Sequence, residues 1–120
     1  VQVVAQIYTV STVSIPETVI YTVPEDGLYE LSAVLESRTP YPSMVSGDSV
    51  VSLLFRAEGY IGRKKFSLVP SLHVDQPHDA AGFIVLALKG GTTVTFSATL
   101  FASGAEATFA VIAALKQLTP

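Results

Sequence analysis

Cysteine is absent from this sequence. That excludes disulfides, thiolate zinc sites and thiol nucleophiles, and it leaves the redox compartment unmarked. Charge is scarce as well. Lys, Arg, Asp and Glu make up 14% of the chain, against about 25% in ordinary globular domains. The seven Lys and Arg are scattered except for Arg63-Lys64-Lys65, and the net charge is −3. A nucleic-acid partner is excluded on that ground, because a phosphate backbone is held by a concentrated basic field. No apolar run approaches the roughly 18 residues of a helical membrane span, so membrane insertion is not expected. The first residues also lack the basic start of a secretory leader.

What the chain does have is 49% hydrophobic residues in a length of 120. That length fits a single domain spanning residues 1–120, which buries roughly 60–70% of its unfolded surface. A domain this small has much surface to cover. So few charges imply that part of this surface faces something other than water.

No helical period appears. Apolar residues alternate or run together and are rich in Val, Ile, Thr, Phe and Tyr, as strands are. Breakers at Pro16, Pro24–Gly27, Pro40–Gly47, Gly59–Gly62, Pro70, Pro77–Gly82, Gly90-Gly91 and Ser103-Gly104 leave strands near 2–13, 17–23, 28–37, 49–58, 63–69, 71–75, 82–89, 93–101 and 107–118. Short strands at this spacing predict an all-β fold, an antiparallel β-sandwich or barrel. LKGGTTV, residues 88–94, reads as a hairpin whose two glycines supply positive φ angles. Residues 1–15 read either as an N-terminal strand or as an arm reaching a neighbour.

Alternation orients several strands. Tyr29, Leu31, Ala33 and Leu35 take one face, with Glu30, Ser32 and Glu36 on the other. Val51, Leu53, Phe55 and Ala57 point inward, as do Val94, Phe96, Ala98 and Leu100. The last strand, ATFAVIAALKQL, is different: behind Phe109, Val111, Ala113 and Leu115 stands a second apolar row of Ala110, Ile112 and Ala114. VQVVAQIYTV and GFIVLAL are nearly as apolar on both faces. A doubly apolar antiparallel strand needs a second cover. Little chain is spare to provide one, so the expected cover is another subunit.

Three segments, taken together and in order, resemble the tumour-necrosis-factor-like and complement globular-head jelly rolls. YTVPEDGLYELSA (21–33) is similar to their early strand, where a Pro-containing turn and Gly precede an aromatic. GFIVLALKGGTTVTFSA (82–98) resembles their late pair of strands around a charged Gly turn. ATFAVIAAL (107–115) resembles their closing strand, without the Ser-Gly that often follows its Phe. The cysteine-free, Val/Thr/Ala-rich character is nearest to bacterial and phage members. The resemblance implies a ten-strand jelly roll and a tight homotrimer with the first and last strands near its axis. It also implies a recognition or structural role without catalysis. Val3, Ala5, Ile7, Ile84, Leu86, Ala110, Ile112 and Ala114 are then expected in the trimer interface.

One stretch carries the residue types of a reactive centre: SLHVDQPHDAAG, residues 71–82, with both histidines of the chain. His73, Asp75, His78 and Asp79 suit zinc, manganese or iron, and metal-binding cupins are themselves jelly rolls. Cupins, however, resemble a pattern of two His one residue apart, a nearby Glu and a later His, and no later His exists here. Pro77 and Asp79 favour a turn, so the stretch reads as a polar loop. No G-x-S-x-G elbow is present, and the acids, including Glu25-Asp26, fall on turns or outer faces. The expectation is no enzyme, no metal and no cofactor. Exposed rims are left as contact surfaces: Arg38 and Tyr41 in one loop, and Tyr60, Arg63 and Lys64 in another.

These features converge on a non-enzymatic trimer displayed on a virion surface or outside the cell, as a phage head decoration or fibre module or a bacterial surface module. Its expected partners are its own copies and a surface or capsid protein or a cell-surface glycan. The competing readings are a monomeric carbohydrate-binding module and a metal-dependent cupin-like enzyme.

Overall fold

The computed structural model describes residues 1–40, 45, 49–58, 64–75, 78–101 and 107–118. Among them lie nine strands and no helix: β1 (Gln2–Ser11), β2 (Ile15–Thr22), β3 (Gly27–Ser37), β4 (Val50–Glu58), β5 (Lys64–Phe66), β6 (Leu72–His73), β7 (Asp79–Leu88), β8 (Thr93–Phe101) and β9 (Phe109–Gln117). The chain is an antiparallel β-sandwich of jelly-roll form. One sheet runs β1-β9-β3-β7; the other runs β2-β8-β4-β5, with β6 also paired to β4.

The alternation read from sequence is the alternation that packs. Along β3, Tyr29, Leu31, Ala33, Leu35 and Ser37 are buried and the residues between them are half-buried. β9 sits between β1 and β3, in continuous register with β3 from Tyr29↔Gln117 to Ser37↔Phe109. Phe109, Val111 and Leu115 project from it into the same layer, where they meet Val51, Leu53 and Phe55 of β4 within one buried cluster. Tyr29, Phe55 and Phe109 are the largest wholly buried side chains. Each such aromatic removes about 150–250 Å² from water, and together they dominate the core.

The Gly90-Gly91 turn departs from expectation. Gly91 has φ +92°, as a tight turn requires. Yet β7 pairs with β3 while β8 pairs with β2 and β4, so the turn passes between sheets and closes no hairpin. Its amides are taken instead by the segment before β3. Gly91 N donates to Val23 O at 2.7 Å, and Gly90 N donates to Asp26 Oδ1 at 2.9 Å. The Glu25-Asp26 turn is therefore a clasp on the β7–β8 connection.

β7 also begins earlier than the breakers suggested. Asp79, Ala80 and Ala81 already pair with Glu36, Leu35 and Val34, placing Gly82 inside the strand. The reason for a glycine there is steric. A Cβ on Gly82 would collide with the backbone carbonyl of Leu68, which crosses the end of the core beside buried Val69.

Candidate functional site: the outward face of the four-stranded sheet

The registers of β1, β9, β3 and β7 align their outward side chains in rows across the sheet. From one end, they read Val10–Ala110–Glu36–Asp79, then Tyr8–Ile112–Val34–Ala81, then Gln6–Ala114–Ser32–Phe83, then Val3–Lys116–Glu30–Val85. The two middle rows carry no charge and are apolar except for Gln6, Ser32 and the Tyr8 hydroxyl, and charge is confined to the end rows. Tyr8 is 63% exposed and Phe83 is 70% exposed, with Val3, Val10 and Val85 close to half exposed. Short side chains in the middle leave a trough. A groove of about 500 Å³ runs over Ser32, Ala81, Gly82 and Ala114, with Phe83 and Ile112 on its walls and Glu30 and Lys116 at one end.

The opposite face of the sandwich is built differently. Arg56 Nη1 donates to Glu17 Oε2 at 2.8 Å, and Thr95 Oγ1 donates to the same oxygen at 3.1 Å. Ser52 and Ser71 share a hydroxyl hydrogen bond of 2.8 Å. Thr93, Ser97 and Thr99 continue this polar surface, which Val19, the half-buried Leu54 and the cross-strand pair Val50–Phe101 interrupt. The two outward faces therefore differ in balance: one is mainly polar and internally bonded, the other mainly apolar in its middle and grooved.

A polar network crosses one end of the apolar face. Arg38 Nη2 donates to Glu36 Oε1 at 2.7 Å and to Tyr8 Oη at 3.1 Å, and its Nε donates to Glu36 Oε1 at 3.1 Å. Its guanidinium carbon also lies 5.9 Å from the centre of the Tyr8 ring. The Glu36 hydrogen bond, and then that of Tyr8, push the Arg38 pKa above its ordinary value. Tyr8 is on β1 and Glu36 on β3, so this bridge has to cross β9. On β9, Ala110 lies opposite Glu36 and Ile112 opposite Tyr8, and Ala110 is wholly buried although it points outward. Beside the bridge, Glu36, Ser37, Arg38, His78 and Asp79 line a polar depression of about 300 Å³.

The expected interface residues divide by face. Ala110, Ile112 and Ala114 do project from the outward side of β9. Ala5, Ile7, Ile84 and Leu86 turn inward and pack, partly buried, against the core. Sequence could not settle their side, because both faces of β1 and β7 are apolar. A register shift between Val3 and Ala5 moves the start of β1 out of step, which puts Val3 outward opposite Lys116. The outward members missed from sequence are Tyr8, Val10, Phe83 and Val85; Glu36 near the end of β3 and Arg38 just past it, two residues apart, were the available sign of the bridge.

The histidine stretch is split between the sheets. His73 belongs to β6 and pairs with Val50, whereas Asp79 opens β7 opposite Glu36. The carbonyl of His78 accepts the amide of Ser37 at 2.7 Å. Among the described residues, no three His, Asp or Glu side chains gather into a metal-holding group. Tyr41, Tyr60 and Arg63 lie outside the described residues, and Lys64 is placed by its backbone pairing with Ala57.

No protein-family model matches this sequence, and no curated protein is significantly similar to it. Solved structures are. Murine APRIL superposes with a TM-score of 0.50 at 18% identity, over 82% of this chain and 72% of that one. A pentameric capsid protein from metagenomic phage sequences gives 0.44 at 17% identity, over 97% and 70% of the two chains. The Eiger TNF of S. frugiperda gives 0.45 at 12% identity, over 93% and 92%. At such identities the likeness is one of fold, and that fold is the tumour-necrosis-factor-like jelly roll.

Proposed function

We propose that this chain is a non-enzymatic jelly-roll protein that assembles with its own copies through the outward face of β1, β9, β3 and β7. Three copies around one axis is the arrangement implied by the sequence resemblance. The carrying observation is the contrast between the two outward faces. At about 200 Å² per aromatic side chain, Tyr8 and Phe83 alone expose roughly 270 Å². The neighbouring Val and Ile residues extend this toward the about 800 Å² per partner of a standard interface. Apolar surface exposed on this scale across one face and rimmed by charge marks an association site.

Assembly repeats the rim loops in several copies, so weak contacts to a partner add through effective concentration. The role that suits this is structural or recognitive display on a virion surface or outside the cell, as a phage head decoration, a fibre module or a bacterial surface module. A surface or capsid protein or a cell-surface glycan would be the partner. Neither nucleic acid nor membrane insertion is part of this reading.

The test is light scattering on a sizing column with Ile112→Asp and, on the polar sheet, Thr99→Asp. The wild type and Thr99→Asp should give a mass that is a multiple of three chains. Ile112→Asp should keep its strand circular dichroism but lose that factor of three. Unchanged mass in folded Ile112→Asp would overturn the assignment of the face.

A further inference from the structure

Charge at one end of the four-stranded sheet is only partly spent within the chain. Glu36 takes both Arg38 hydrogen bonds on Oε1, at 2.7 and 3.1 Å, which leaves Oε2 without a partner among the described residues. Arg38 donates through Nε and Nη2, so Nη1 keeps its N–H groups unused. Asp79 is exposed, opens β7 opposite Glu36, and among the described residues forms no ion pair. His78 beside it is exposed as well and shares only its carbonyl, with the amide of Ser37. Ser37 is 6% exposed, and its Oγ has no hydrogen-bond partner. These five residues line the polar depression of about 300 Å³.

We infer that this depression is a binding site for a neutral sugar ring, held through its hydroxyls. The ligand class follows from the mixture of unspent groups. A cation drawn to Asp79 would face the Arg38 guanidinium, and an anion drawn to Arg38 would face Asp79 and Glu36. A hydroxyl both donates and accepts, so neighbouring hydroxyls on one ring can satisfy carboxylate, guanidinium and imidazole together. Hydrogen bonds to charged groups are the strong ones, which suits a small ligand with few contacts. A metal ion is disfavoured, since His78, Asp79 and Glu36 do not gather into a metal-holding group. The volume stands at the lower end of small-molecule pockets, which start at about 300 Å³, so it takes a single ring. The walls are also fixed in advance: Arg38 holds Glu36, Tyr8 holds Arg38, and Ser37 holds the His78 backbone. Such preorganisation reduces the ordering cost of binding. An unpaired carboxylate is costly to bury, so the Asp79 end stays in water when further copies cover the apolar rows. The site is complete within one chain and does not depend on assembly. Assembly repeats it, and weak sugar contacts then add on a glycan-bearing surface.

The experiment is an amide-shift NMR titration of the chain with the methyl glycosides of glucose, galactose, mannose and N-acetylglucosamine, and separately with trilysine. At least one glycoside should give saturable shifts at Glu36, Arg38, His78 and Asp79, with a dissociation constant in the millimolar range. Asp79→Ala should weaken that binding at least about tenfold, as loss of a hydrogen bond to a charged group does. Thr99→Ala, on the polar sheet, should leave it unchanged. Ile112→Asp should bind as the wild type does, so a failure of assembly and a failure of the sugar site are told apart. No saturable shift from any of the glycosides would overturn the proposal, as would unaltered affinity in Asp79→Ala. Binding of trilysine without any glycoside would also overturn it and assign the depression to a cationic protein partner.

Discussion

Gly82→Ala should cost this protein far more than a one-carbon change in a strand normally does. The strand would by itself welcome the substitution, since Ala lowers the entropy of the unfolded chain by an amount worth about 0.4–1 kcal/mol. The obstruction is the carbonyl of Leu68, which occupies the space of the new Cβ. It is backbone and cannot rotate away. Its neighbour Val69 is 3% exposed, so the segment has little room to retreat. Overpacking of this kind costs about 1–3 kcal/mol and occasionally more. Taking the upper part of that range, the net loss is about 2 kcal/mol. For a chain of 120 residues, an unfolding entropy of about 2.1 cal/mol/K per residue converts that to a fall of roughly 8 °C in Tm. Thermal melts of the wild type, Gly82→Ala and Gly91→Ala would measure it. Gly91 has no atom within 4 Å of a built Cβ, so its variant reports backbone strain at positive φ alone. A Gly82→Ala protein melting within about 2 °C of wild type would refute the steric reasoning.

Phe55→Ala, at the centre of the core, should lose about 3–5 kcal/mol in urea unfolding, and a loss below 1 kcal/mol would mean that Phe55 is not packed as described. Tyr29 supplies a pH test: burial, then the nearby Tyr21 and Glu25 charges, raise its pKa above 10.0. The folded state then holds this proton more tightly than the unfolded state, so its stabilising contribution is complete below about pH 10 and disappears as pH rises through the folded-state value. Stability measured on the alkaline side should fall less steeply in Tyr29→Phe than in wild type; parallel curves would contradict this. Arg38→Ala removes the bridge over Ala110, so amide exchange should quicken in β1 and at the end of β3 while β4 and β8 keep their protection. Uniform quickening would argue against a local clamp.

Much of the sandwich was legible because β3, β4 and β8 alternate with the period of two that a strand imposes, and because in β9 the bulkier row of Phe109, Val111 and Leu115 stands against a row with two alanines. Tyr29, Leu53 and Phe96 could be placed inward from spacing alone. β1 and β7 could not be oriented in this way, since Ile7 and Tyr8, or Phe83 and Ile84, are apolar on both sides. Their facing depends on the bulge at Val3/Ala5 and on register with β9 and β3, which are tertiary facts. Gly90-Gly91 was legible as a tight turn but not as a link between sheets, because a turn sequence does not state which strands pair. Gly82 looked like a strand opener, and its cause lies in Leu68, fourteen residues away in sequence. Tyr8 and Arg38 are thirty residues apart, and no local pattern joins them.

The central claim is that the apolar face of β1, β9, β3 and β7 is covered by further copies of this chain. Its most direct measurement is the absolute solution mass of the wild-type chain by light scattering across a dilution series. The account predicts a mass that is a multiple of three chains and that falls only on extreme dilution. A clean monomer of 12.7 kDa at all concentrations would contradict it, because the exposed Tyr8, Val10, Phe83 and Val85 would then have no copy to cover them.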